Sequence, residues 1–338
     1  MGFKAAALVG LTVLGPCGVC GASPRVWKPT SAPSECWFGL ASSADGNKLV
    51  AVGQGGIYLS TNAGATWTAA NSPSNAMGWW GAASSADGTK LAVTGGGLIL
   101  AGPIYLSTNS GAAWSKAGVP DEIWTSIACS ADGNIFFATA TGTNGGPIYV
   151  SRDSGATWKP SDAPVTNWAA LACSADGNHV VAAVGSPFGV RGPIYASDDA
   201  GHNWKLTDAP IEYWRSVACS ADGTRVVAAT GSDRGPVFIS TDAGATWKPT
   251  SAQPGSWAMA SSADGATLVG VSSDSPRVHM NSRVRCKYRA SQPITCQNAR
   301  KSRLLESLPV GEEGLVASAL PFIAGRCSGP ESILCRDL

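Results

Sequence analysis

The sequence predicts an all-β protein, a β-propeller of four-stranded blades, with six blades expected and seven as the alternative. Three observations carry that expectation. An eight-residue pattern, S-x-[DN]-x-G-x-x-W, occurs five times, at residues 60–67, 107–114, 151–158, 197–204 and 240–247. A second pattern, W-x-x-[LIV]-A-[SC]-S-A-D-G or a close variant, starts at Trp37, Trp80, Trp124, Trp168, Trp214 and Trp257 and alternates with the first. The 338 residues include 41 Gly and 13 Trp but only 14% charged residues, which suits many short strands joined by tight turns. Tryptophans of the first pattern stand 47, 44, 46 and 43 residues apart, the period of a four-stranded blade.

In chain order, residues 1–22 read as a secretory signal. Lys4 supplies the positive start, residues 5–15 the short apolar run, and Cys20, Gly21 and Ala22 the small cleavage residues. The run is too short to span a bilayer, so no transmembrane segment is expected, and the protein should be secreted, or periplasmic in a bacterium. Residues 23–275 form the propeller. Its first segment, from Trp27 through Lys28, Pro29, Thr30, Ser31 and Ala32 to Pro33, nearly repeats Trp247, Lys248, Pro249, Thr250, Ser251, Ala252 and Gln253. No blade precedes it, so it reads as a fourth strand that pairs within residues 257–282 and closes the ring, hiding an otherwise open edge.

Each repeat then yields four strands. Strand one runs from its Trp to the Ser before an Asp-Gly pair; those pairs begin at Asp45, Asp87, Asp132, Asp176, Asp222 and Asp264. Asp-Gly between apolar runs is a hairpin signal. Strand two is the apolar run after it, such as 180–184, strand three the Ile-Tyr-x-Ser run, such as 148–151, and strand four begins near the Trp of the eight-residue pattern, as in 157–159. Within that pattern, Asp or Asn folds onto nearby N–H groups, Gly takes a positive φ, and Trp supplies apolar area. The six strand-one tryptophans are expected to be stacked between blades, with contact to sugar rings as the alternative. Cys129, Cys173 and Cys219 share one repeat position with Ser42, Ser84 and Ser261, which predicts small buried residues with free thiols.

After about Ser275 the repeat stops. Residues 276–338 read as an irregular or disordered tail, with 276–282 available to lend the last blade a strand. The tail is basic, with eight Lys and Arg from Arg277 to Arg303 and no acid until Glu306. Its Cys286, Cys296, Cys327 and Cys335 could form two disulfides. The net charge of +1 gives no case for nucleic-acid binding. No cofactor motif is present, and neither His179 nor His202 stands in a metal-ligand constellation, so no cofactor or metal is expected.

The repeated S-x-[DN]-x-G-x-x-W pattern resembles the Asp-box (BNR) repeat of sialidase-like β-propellers. That resemblance covers roughly residues 23–275 and implies a fold shared by hydrolases, lectin-like binders and assembly factors. A sialidase, as the resemblance implies, needs three arginines on the substrate carboxylate, a Tyr–Glu pair, an acid Asp and a Tyr/Phe-Arg-Ile-Pro segment. Here the nearest segment is Pro24-Arg25-Val26-Trp27, and Tyr58, Tyr105, Tyr149 and Tyr195 are repeat residues. The expected function is therefore non-catalytic binding of a glycan or protein partner by a monomer. A sialidase-like glycoside hydrolase is one alternative. The other is an assembly factor resembling the Asp-box propellers that assemble photosystem II.

Hairpins and boxes should share one face, leaving the variable loops on the other. There Phe188, Arg191, Glu212, Tyr213, Arg215 and Arg234 depart from the repeat, and they are the candidate ligand-binding residues. The arginines could meet an anion, and Tyr213 could stack on a ring.

Overall fold

The computed structural model describes residues 30–73, 78–97, 99–185, 190–231, 235–252, 257–272, 278–282 and 315–316. Among them there is no helix, and the strands form six four-stranded antiparallel sheets. The first contains β1 (Trp37–Ser42), β2 (Leu49–Gly53), β3 (Gly56–Ser60) and β4 (Thr68–Ala69). The second contains β5 (Trp79–Ser84), β6 (Leu91–Gly95), β7 (Ile104–Ser107) and β8 (Ser115–Lys116). The third contains β9 (Ile123–Cys129), β10 (Phe136–Thr141), β11 (Ile148–Ser151) and β12 (Lys159–Pro160). The fourth contains β13 (Trp168–Cys173), β14 (Val180–Gly185), β15 (Arg191–Ser197) and β16 (Lys205–Leu206). The fifth contains β17 (Trp214–Cys219), β18 (Val226–Thr230), β19 (Val237–Ser240) and β20 (Lys248–Pro249). In these five sheets each strand pairs with the next in sequence.

The sixth sheet departs from that order. It contains β21 (Trp257–Ser262), β22 (Thr267–Ser272), β23 (Val278–Ser282) and β24 (Leu315–Val316), arranged β23-β22-β21-β24. Residues 276–282, expected to be available to the last blade, supply β23, which pairs with β22, while the expected irregular tail also supplies β24, which pairs with Ser261 and Ser262 at the hairpin end of β21. The expected closing segment at 27–30 lies outside the described residues except for Thr30. The secretory signal, most of the tail and its four cysteines lie outside them too. Cys36 is disulfide-bonded, while Cys129, Cys173 and Cys219 are free.

In the second to fifth sheets the inner strands are buried on both faces, because a sheet sits on either side of them. Side chains of one strand alternate between the two neighbours. Ala170 and Ala172 of β13 pack with Trp214 and Val217 of the fifth sheet, while Leu171 and Cys173 pack with Phe137 and Val150 of the third. Further apolar layers of this kind join the other consecutive sheets, so the core is a series of layers between blades. The three thiols lie in these layers. Burial pushes Cys129 and Cys219 up to about 12 and raises Cys173 well above the usual thiol value.

Two register assignments need correction. The strand-one tryptophan of the second sheet is Trp79, not Trp80. Trp79 faces Gly95 as Trp37 faces Gly53, and it meets Tyr105 edge-on at 5.6 Å as Trp37 meets Tyr58 at 5.3 Å. Trp80 instead stacks on Phe38 of the first sheet at 4.8 Å. In the sixth sheet the same count back from the Asp-Gly pair reaches Ser256, so Trp257 matches Trp80. Sugar contact is ruled out for Trp124, Trp168 and Trp214, which are at most 2% exposed.

Candidate functional site

Strand directions place the hairpins and boxes on one face, and the residues that recur there have structural tasks. In the third-sheet box, Ser151 Oγ donates to Asp153 Oδ1 and accepts from Gly155 N–H. Asp153 Oδ1 also accepts from Thr157 N–H, and Trp158 Nε1 donates to Gly155 O. Asn62 and Asn109 accept the same backbone bond through Oδ1, which explains why Asp and Asn interchange. The residue before the box glycine is left-handed as well, at φ 56–58° in all five boxes. Its N–H reaches the hairpin of its own blade, as Ser154 N–H reaches Asn134 O. The hairpins are in turn linked in series. Ala44 N–H donates to Ala86 O, and the same 2.7 Å bond runs on through Ala131, Ala175 and Ala221 to Ala263.

These bonds hold the carboxylates ionised. The Ser85 hydroxyl and Thr89 N–H lower Asp87 to about 2, the Thr157 hydroxyl and N–H lower Asp153 to about 2, and the Asn203 side chain and N–H do so for Asp199. A depressed folded-state pKa contributes stability that is present above the unfolded value near ~4 and disappears as pH falls towards ~2. The melting midpoint should therefore drop steeply across that window. Asp153→Asn should keep the neutral-pH midpoint, since Asn serves at 62 and 109, and should soften the acid drop. An unaltered acid profile would show that Asp153 does not contribute to it.

The opposite face is built from the loops between strands two and three and between strand four and the next strand one. Three isolated β-bridges zip these loops together, at Gly102↔Glu122, Gly146↔Thr166 and Gly192↔Glu212. Glycine is required at each bridge by close approach. A Cβ on Gly102 or Gly146 would stand 2.5 or 2.6 Å from backbone atoms, and one on Gly192 would meet Val184. The bridge glycine also receives the next blade's buried tryptophan, Trp124 Nε1 donating to Gly102 O at 2.6 Å and Trp168 Nε1 to Gly146 O at 3.1 Å. At the third bridge Trp214 Nε1 is buried with no partner among the described residues.

Four of the six candidate residues fall within the described part of the chain; Phe188 and Arg234 lie outside it. Arg191, Glu212 and Tyr213 come together at the third bridge. Arg191 lies over the Tyr213 ring at 5.5 Å, pairs with Glu212 Oε2 at 3.4 Å and donates to Ile211 O at 2.6 Å. In this structure the guanidinium is thus engaged within its own loop. Arg215 is half-buried on β17, with Cβ and Cδ 3.3 and 3.7 Å from where a Cβ on Gly231 would stand.

The sequence reasoning passed over the aliphatic residues of this face. Ile99, Leu100, Val165, Val190 and Ile211 are exposed here together with Tyr213. A signal was present, because Val165 and Ile211 occupy the same place in the repeated frames Asp162-Ala163-Pro164-Val165 and Asp208-Ala209-Pro210-Ile211. Among the described residues no group of three or more His, Cys, Asp or Glu is placed to hold a metal ion, and no helix is long and apolar enough to cross a membrane.

Comparison with known proteins agrees with this architecture. The family model for the BNR/Asp-box repeat matches residues 238–249, the fifth box and its flanks. No curated protein matches the chain at the sequence level. Among solved structures, the Kuenenia stuttgartiensis hydrazine synthase structure is similar at a TM-score of 0.58 and 17% identity, over 71% of this chain and 75% of that one. An ancestral GH74 enzyme is similar at 0.55 and 15% identity, over 74% of this chain and 36% of that one. At these identities the likeness is one of fold, and the chain spans about a third of the GH74 protein.

Proposed function

We propose that this Asp-box propeller is a binding protein that takes a glycan or protein partner on the face opposite its boxes and performs no catalysis there. One observation carries the reading. Six of the seven large apolar side chains exposed among the described residues lie in that face's loops; the seventh, Leu206, is on the outer strand β16. Scattered exposed apolar residues are ordinary, but a gathering on one face of a repeat scaffold marks a contact surface. The third bridge, with Arg191, Glu212 and Tyr213, forms one corner of that surface, and Phe188, Arg215 and Arg234 are assigned to it from the sequence. The carboxylates with clearly lowered pKa values sit in the hairpin and box turns, where they serve the fold. On this reading the chain acts as a monomer outside the cytoplasm.

The test is a screen of the full chain against fluorogenic glycosides, with a glycan array beside it. No fluorophore release is expected, and any glycan that binds should be lost in Tyr213→Ala. Release that disappears in Tyr213→Phe would replace binding with hydrolysis.

A further inference from the structure

The proposed binding face carries two kinds of side chain, and together they describe a partner. The first kind is aliphatic. Leu100 stands two residues before the first bridge glycine, Val165 is beside the second bridge, and Val190 and Ile211 flank the third. Consecutive bridges join consecutive blades, so these side chains form a row rather than a single spot. Sugars are commonly gripped by flat aromatic faces, and the only aromatic side chain in the row among the described residues, Tyr213, has its ring covered by Arg191. Burying Val, Leu and Ile instead rewards apolar side chains of another protein, at about 25 cal/mol per Å² removed from water.

The second kind is acidic. Among the described residues, the loops of this face carry Glu35, Asp121, Glu122, Asp162, Asp208 and Glu212, against Arg191 and Arg215 near them. Lys116 neutralises Asp121, and Arg191 neutralises Glu212. Asp162 and Asp208 are exposed and have no ion-pair partner among the described residues. Each lies three residues before an exposed aliphatic residue of the row, Val165 or Ile211. The same acid-plus-aliphatic pair is therefore presented twice, one blade apart.

We infer that the partner is a protein, and that it offers this face a basic segment in which Lys or Arg neighbours Val, Leu or Ile. The aliphatic residues fill the row while the cations meet Asp162 and Asp208, an arrangement that sets specificity and encounter rate as well as affinity. The inference rests on the binding face proposed above and narrows its ligand.

The full-length protein is immobilised and a phage-displayed library of random dodecapeptides is selected on it, with the glycan array as the parallel arm. Selected peptides should be enriched in Lys and Arg beside aliphatic residues. A synthetic copy should bind at least about tenfold more weakly to Val165→Asp/Ile211→Asp and to Asp162→Lys/Asp208→Lys. Its binding should also weaken with salt, because the charges are exposed. All four positions are exposed, so the melting midpoints of both variants should stay near wild type. Enrichment of Asp and Glu, or a glycan released by the same substitutions, would overturn the inference and keep the face. Binding indifferent to all four substitutions, or no selection in either arm, would overturn the face as well.

Discussion

Replacing Trp168 by alanine is expected to destabilise the protein by about 3–5 kcal/mol, the usual cost of emptying a large core site. The side chain is 0% exposed and packs in the layer between the third and fourth sheets with Ala128, Phe137 and Leu171. It meets Tyr195 edge-on at 5.7 Å, and its Nε1 holds Gly146 O across the blade boundary. Alanine therefore removes packing and one of the two donors to a buried carbonyl, which keeps only the 3.3 Å bond from Thr166 N–H. For a domain of this size the melting midpoint should fall by roughly 6–20 °C. Trp168→Phe separates the two losses. It keeps one aromatic ring in the layer and loses the donor with part of the volume, so a smaller cost of about 1–3 kcal/mol is expected. If alanine costs less than about 1 kcal/mol, the ring does not hold these blades together.

Trp168 also shows why the fold could be read so far from the sequence. A blade cannot bury its own faces, so the same small set of local solutions must recur in each repeat. Ser151, Asp153, Gly155 and Trp158 each satisfy a bond that other boxes repeat, and five copies make the pattern unmistakable. Register within a strand was less legible. Trp79 and Trp80 are both aromatic and adjacent, and a one-residue slip moves a side chain to the other face of the sheet. The edge-on tyrosine that marks the true position comes from strand three, far away in sequence. The β24 pairing, with no repeat signal in residues 315–316, could not be read at all.

The candidate site was legible as a face but not as chemistry. Arg191 departs from the repeat, and that was visible. Its capture by Glu212, 21 positions later, depends on the Gly192↔Glu212 bridge, which no local pattern announces. The apolar row was missed because a single Val or Ile in a loop means little by itself. The repeated Asp-Ala-Pro frames put Val165 and Ile211 at equivalent places, but only the bridges bring Leu100 and Val190 into the same row.

Alanine at two box glycines should separate backbone strain from crowding. Gly155 and Gly244 have the same φ of +87°, so an L side chain suffers the same left-handed strain at both, of order 1–3 kcal/mol. Their surroundings differ. A Cβ on Gly244 would lie 3.5 Å from Val181 Cγ2, an ordinary contact, while one on Gly155 would lie 2.3 Å from Leu106 Cδ1. Leu106 is only 8% exposed on β7 of the preceding blade, so it has little room to yield. Overpacking of this kind costs about 1–3 kcal/mol in addition. Gly155→Ala should thus destabilise by more than Gly244→Ala, measured as urea midpoints at constant slope. Gly155→Val adds a β-branched side chain and should be worse than either. In a Leu106→Ala background the excess should vanish, because the crowded methyl groups are gone, while the strain remains. An excess that survives Leu106→Ala would place the crowding elsewhere in the box. Equal costs at Gly155 and Gly244 in the wild-type background would mean that Leu106 moves aside freely, and that the layer between the second and third blades is looser than its burial implies.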